Sequence, residues 1–214
     1  MVVEMDQETQ AQVKTLFAPL DSDVKIHLFV KEHECLYCGD TRTLAEKVAE
    51  LSDKVQVAEH HDEPGKGKAG EFGVQRVPAI VLEGKEPYKV RFYGIPAGHE
   101  FGALIAGIIA VSTAEIPLDG AIIEDIKDID EPVHIQVFTT PQCPYCPDMV
   151  KLAHYAAILN PNIESDMVES LEFQDVAKKY EVFGVPKTII NENTAIEGLA
   201  SPDLFVDKLY EAIG

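Results

Sequence analysis

The chain repeats itself at an offset of 108 residues, and this repeat constrains its fold more than any other feature. Cys35 and Cys38 recur as Cys143 and Cys146, and Val77-Pro78 recurs as Val185-Pro186. Neighbours agree in type: Phe72 with Tyr180, Val74 with Val182, Ile80-Val81-Leu82 with Thr188-Ile189-Ile190. Farther on the offset falls to 104, pairing Gly94 with Gly198 and Phe101 with Phe205, as a shorter hairpin in the second half would produce. A repeat this long means two copies of one folding unit. The expected boundary lies near Ile116-Pro117, giving domains 1–116 and 117–214.

Each half shows the same succession of patterns. An extended apolar run, Val24–Val30 or Val133–Phe138, leads into the Cys-x-x-Cys, which opens a helical stretch, Leu36–Leu51 or Pro144–Leu159. Leu44, Val48 and Leu51 keep to one helix face. A second strand follows near Val55–Glu59 or Ile163–Val168, then a short helix, Lys66–Phe72 or Gln174–Tyr180. Val-Pro introduces a third strand, Ala79–Leu82 or Lys187–Ile190. Turn residues Glu83–Pro87 and Asn191–Asn193 join it to a fourth, Val90–Tyr93 or Ala195–Glu197. A last helix closes each half, His99–Val111 and Asp203–Ile213. Further helical pieces precede the halves at Asp6–Phe17 and Asp119–Ile126.

The totals exclude several function classes. The formal net charge of −19 repels phosphate backbones and anionic lipid, against nucleic-acid or membrane partners. The longest apolar run, Ala103–Val111, falls short of the ~20 residues that span a bilayer. The stretch Met1–Asp6 lacks the plan of a signal peptide, so a cytoplasmic location is expected. All four cysteines belong to the two pairs, which in a reducing compartment points to redox chemistry or metal binding. Shared zinc is the rival reading, but a whole domain separates the pairs, where zinc ribbons leave ~15–20 residues. Without a phosphate-binding Gly-rich loop, no flavin or nicotinamide site is expected; the redox-active disulfides would serve in place of a cofactor.

The order βαβαββα around a Cys-x-x-Cys is thioredoxin-like: α/β, with two tandem domains, each a central mixed four-stranded sheet flanked by helices. Cys35-Leu-Tyr-Cys38, Cys143-Pro-Tyr-Cys146, Tyr93-Gly-Ile-Pro-Ala-Gly-His99 and Asp166-Met-Val-Glu169 carry a closer resemblance over nearly the whole chain. It resembles the protein disulfide oxidoreductases of thermophilic microbes, also called glutaredoxin-like. The resemblance implies protein-disulfide reductase, oxidase or isomerase activity, a thioredoxin reductase-like electron donor, and cis prolines at Pro78 and Pro186 facing the cysteines. The backbone of Val77-Pro78 and Val185-Pro186 would then pair with an extended substrate. Glutathione dependence is not expected, because Glu197–Ser201 lacks the paired glycines of glutathione-binding glutaredoxins.

Disulfide exchange needs a thiolate, and a helix N-terminus favours that charge. Cys35 and Cys143 are therefore read as nucleophiles, with Cys38 and Cys146 resolving the mixed disulfide. Glu34 disfavours a thiolate at Cys35, while Pro144 suits a first helical turn. The second pair is therefore expected to be the main site for protein substrates. Glu169 is the candidate proton acceptor there; in the first half Glu59 and His60 occupy the equivalent region, with no choice between them. Tyr37 and Tyr145 shape the sites, His33 is solvated, and Phe101 and Phe205 are core residues. A dedicated electron-transfer module feeding a peroxide-reducing partner is the alternative function, and a zinc-stabilised adaptor a further one. Whether the protein is a monomer or a homo-oligomer is left open.

Overall fold

The computed structural model describes residues 5–214; the first four residues of the stretch read for an export signal lie outside them. Helix α1 (Gln7–Leu16) is capped by Asp6, whose side chain accepts from the Thr9 N–H. Then come β1 (Val24–Phe29), α2 (Cys38–Ala49), β2 (Val55–His60), α3 (Gly67–Glu71), β3 (Ala79–Glu83), β4 (Val90–Tyr93) and α4 (Phe101–Thr113), the last entered through a 3-10 turn at Gly98–Glu100. The second half runs α5 (Gly120–Lys127), β5 (Val133–Thr139), α6 (Cys146–Leu159), β6 (Ile163–Glu169), α7 (Gln174–Lys179), β7 (Lys187–Ile190), β8 (Thr194–Glu197) and α8 (Pro202–Ile213). These elements match the sequence expectation in kind and order. Both redox helices begin at the second cysteine of the pair, two residues later than expected.

Among the described residues the eight strands form one sheet in the order β2-β1-β3-β4-β6-β5-β7-β8. Two four-stranded units are thus joined edge to edge through a parallel β4–β6 pairing, Val90↔Ser165 to Tyr93↔Val168. No sequence signal announced this seam, because a strand's apolar pattern does not name its neighbour. Alternation along each strand divides the core. Ile26, Leu28, Ile80, Leu82, Phe92, Val137 and Met167 face α1, α2, α4, α5, α6 and α8. Phe29, Val81, Tyr93, Phe138 and Val168 face the short α3 and α7.

The same alternation corrects the repeat. Leu28 and Val137 share one face and Phe29 and Phe138 the other, so β1 and β5 correspond at an offset of 109, not 108. The loop before Cys35 therefore has one residue more than the loop before Cys143. Within that loop Glu34 adopts the left-handed region, φ 55°.

A buried charge network crosses the seam. Arg91, on β4, donates from Nε to Asp166 Oδ1 at 2.6 Å and from Nη2 to Glu164 Oε2 at 2.7 Å, both on β6. His134 on β5 holds the other Asp166 oxygen at 2.6 Å. Burial works against the Asp166 charge, but Arg91 and His134 keep its carboxyl below the usual carboxylate range.

Candidate active site

Strands β1, β4, β6 and β5 all run parallel, so their carboxyl ends share one edge of the sheet. Cys35/Cys38 and Cys143/Cys146 follow β1 and β5, and α2 and α6 pack on the same face. Both pairs therefore occupy the same edge and face, four strand spacings apart, roughly 19 Å along the hydrogen-bonding direction. Each pair closes on itself as a disulfide with Cα atoms 5.5 Å apart. The shared four-thiolate zinc site is not formed, and no other cluster suited to a metal occurs among the described residues.

In both halves the first cysteine precedes the helix and the second begins it. Neither α2 nor α6 has a side-chain cap among the described residues. In the second half sulfur fills that role: the Cys146 N–H donates to Cys143 Sγ at 3.1 Å. That backbone donor and the helix dipole favour a thiolate on Cys143 once the disulfide is reduced. In the first half the Lys31 N–H donates to Cys38 Sγ at 3.3 Å. Cys35 is half-buried, whereas Cys143 is buried, and Cys38 and Cys146 lie deeper still. Val77-Pro78 and Val185-Pro186 are both cis. The Val185 carbonyl lies 3.6 Å from Cys143 Sγ, placing that segment against the first cysteine of the pair. Phe205 is fully buried and Phe101 partly so, as expected of core residues.

The proton-carrying candidates lie as follows. Glu169 ends β6, paired in register with Thr139, and points to the face of α6. Its Oε2 accepts from the Glu172 N–H at 2.6 Å, and burial raises its pKa. Glu172 accepts from the Ile95 N–H at 2.7 Å; burial, with Glu169 nearby, pushes it up to about 7. In the first half Arg42 grips Glu59 bidentately at 2.6 and 2.7 Å, which holds that carboxyl below its usual range. His60 stacks on Phe29 and contacts His27 at 2.9 Å; burial lowers its pKa. Strand register makes His61, not Glu59 or His60, the counterpart of Glu169, and His61 contacts Glu59 at 2.9 Å.

Glu100 was missed in the sequence. It is fully buried at the head of α4, and among the described residues neither carboxyl oxygen has a partner. Burial pushes it up to about 8, with Lys151 and Asp148 of α6 as the nearby charges. The 3-10 turn that carries it packs against α6, the helix that Cys146 begins. The glycines of the Tyr93–His99 motif explain how it gets there. A Cβ on Gly94 (φ 89°) would lie 2.6 Å from Glu169 Cβ, and one on Gly98 (φ 61°) would lie 2.4 Å from the Pro141 carbonyl. The His99 N–H donates to that carbonyl at 3.0 Å, so the strap from the first half lies directly on the loop before Cys143. The available signal was a lone acid heading an otherwise apolar helix.

The fold and the paired dithiol sites define a thioredoxin-fold thiol–disulfide oxidoreductase with two redox disulfides. A family model described as a thioredoxin domain matches residues 133–211. The chain belongs to the same family as the protein disulfide oxidoreductase of Aeropyrum pernix k1, to which it is 32% identical, with a TM-score of 0.91 over 99% of this chain and 94% of that one. The NTD_N/C domain of alkylhydroperoxide reductase AhpF from Enterococcus faecalis (V583) shares the fold: TM-score 0.90, 22% identity, 96% of this chain and 100% of that one. The AhpF component of alkyl hydroperoxide reductase from Staphylococcus aureus (strain MW2) is 31% identical over 188 residues, 87% of this chain and 34% of that protein. The chain spans about a third of the length of the curated relatives it matches. Among the described residues no helix is long and apolar enough to cross a membrane.

Proposed function

We propose that the protein reduces, forms or rearranges disulfides in polypeptide substrates, with the C-terminal pair as the main site of attack. The observation that carries this reading is the surroundings of Cys143: a sulfur at an uncapped helix start, beside the Val185 carbonyl, bordered by exposed Tyr145 and Phe183. In the reducing direction Cys143 thiolate attacks a substrate disulfide, forming a mixed disulfide and releasing one substrate thiolate. Cys146 then loses its proton and attacks Cys143 Sγ, so the Cys143–Cys146 disulfide forms and the second substrate thiolate leaves. The substrate gains two electrons and the protein is left oxidised. A dithiol of a thioredoxin reductase-like donor restores the pair, and running the steps backwards oxidises a substrate.

The acceptor of the Cys146 proton is a buried carboxyl on the face of α6. Glu169 is one candidate; Glu100, with both oxygens unpartnered among the described residues, is the stronger. The Val77-Pro78 and Val185-Pro186 segments offer backbone groups to an extended substrate.

A second reading, a relay feeding one peroxide-reducing partner, is favoured by the similarity to the AhpF component of alkyl hydroperoxide reductase. Substrate breadth separates the two. With dithiothreitol as reductant, the general enzyme accelerates reduction of insulin and of unrelated disulfide proteins alike. A relay leaves these near the uncatalysed rate and turns over only with its partner.

A further inference from the structure

The two mouths differ in chemistry although the halves share one pattern. Between α7 and the Val185 segment an open groove of about 530 Å³ is lined by Thr140, Leu171, Gln174, Lys178, Phe183 and Val185. Phe183 is 94% exposed, Leu171 55% and Tyr145 61%. Large apolar side chains standing in water beside a reactive sulfur mark a surface meant to be covered. Val185 lines the groove and its carbonyl lies 3.6 Å from Cys143 Sγ, so one residue links the groove to the disulfide. The charges at its wall, Lys178 and Glu181, are of opposite sign and select for neither charge.

From β2 through β3 the halves keep the 108 offset, so the groove residues from Ser170 to Val185 have counterparts in the first half. Phe183 corresponds to Gln75, Gly184 to Arg76, Leu171 to Glu63 and Gln174 to Lys66. Glu63 and Lys66 pair with each other, and the loop Lys31-Glu-His-Glu34 adds more charge at that mouth. Where the second half presents Leu171 and Phe183 to solvent, the first half has Glu63 and Gln75.

We propose that Phe183 and Leu171 are specificity determinants: they make the C-terminal site select disulfides flanked by an apolar side chain on an extended polypeptide. The inference rests on the polypeptide-disulfide reading above and names the segment that the site takes. An apolar side chain entering the groove covers Phe183 and Leu171, whereas an acidic one gives up hydration there for the pull of Lys178, which Glu181 offsets.

The test uses the full chain carrying Cys35→Ser/Cys38→Ser, so that only the C-terminal pair reacts. Its substrates are two synthetic peptides, each with one disulfide, bearing Leu or Asp two residues from a cysteine. The expected kcat/KM ratio is about tenfold in favour of Leu, a size usual for one apolar group in a pocket. Phe183→Gln/Leu171→Glu brings the ratio close to one, while Phe183→Leu keeps it. In the chain with Cys143→Ser/Cys146→Ser the N-terminal pair shows no such preference, and Gln75→Phe/Glu63→Leu introduces one. Equal rates for both peptides in the parent chain, or a ratio unmoved by Phe183→Gln/Leu171→Glu, overturns the proposal. Turnover of a small synthetic disulfide without turnover of either peptide overturns the polypeptide reading itself, and the proposal with it.

Discussion

At the scale of single residues, the two halves hold their acids differently. Glu59 is locked to Arg42, while Glu100 sits buried and unpartnered among the described residues, raised from 4.5 to about 8. A group raised in the fold contributes stability that is fully present below its unfolded value, here 4.5, and lost as pH rises through about 8. The slope within that window is ~1.4 kcal/mol per pH unit at most. Glu100→Gln removes the titration. Urea unfolding should therefore show the variant gaining on the wild type by at least ~1 kcal/mol between about pH 5 and about pH 9. The same variant should lose rate at the C-terminal pair, along with the alkaline inflection of its pH profile. Fully buried His154, pushed down to about 3, has the opposite sign: its contribution is present above 6.5 and lost as pH falls towards 3. The cysteines and the Val-Pro segments were legible in the sequence because spacing alone singles them out. Glu100 was not, since its burial depends on a glycine strap packing against the other half.

At the scale of elements, helix beginnings separate structural roles from chemical ones. Ser201 caps α8 by accepting from the Leu204 N–H, as Asp6 caps α1. The starts of α2 and α6 carry no such side chain among the described residues, and at α6 the N–H is turned to sulfur. Ser201→Ala should cost about 1 kcal/mol in urea unfolding without changing the pH profile of the C-terminal pair; a changed profile would mean the cap reaches the chemistry. Element kinds and order were legible because apolar periodicity reports them directly. The extra residue before Cys35 was not, because the cysteines and the strands disagree by one in their offset. Only the faces taken by Leu28 and Phe29 reveal which register the chain adopts.

At the scale of the whole molecule, the seam fixes how the two sites stand to one another. Parallel pairing of β4 with β6 sets both cysteine pairs on one edge and one face, and Arg91 braces that pairing through Asp166 and Glu164. Removing one member of a buried ion pair strands its partner's charge, at roughly 3–5 kcal/mol. Arg91→Ala should therefore lower stability by several kcal/mol, while Glu164→Gln, at the partly exposed end of the network, should cost far less. Equal, small effects would show that backbone pairing and the apolar core hold the seam without it. The repeat made the two sites legible in the sequence, but their shared edge belongs to the joined sheet.

Insulin disulfide reduction with dithiothreitol tests the central claim most directly, comparing wild type with Cys35→Ser/Cys38→Ser and Cys143→Ser/Cys146→Ser. The account predicts acceleration by the wild type, most of it kept when the N-terminal pair is removed and most of it lost when the C-terminal pair is removed. No acceleration by the wild type, or an equal loss in both variants, would contradict it.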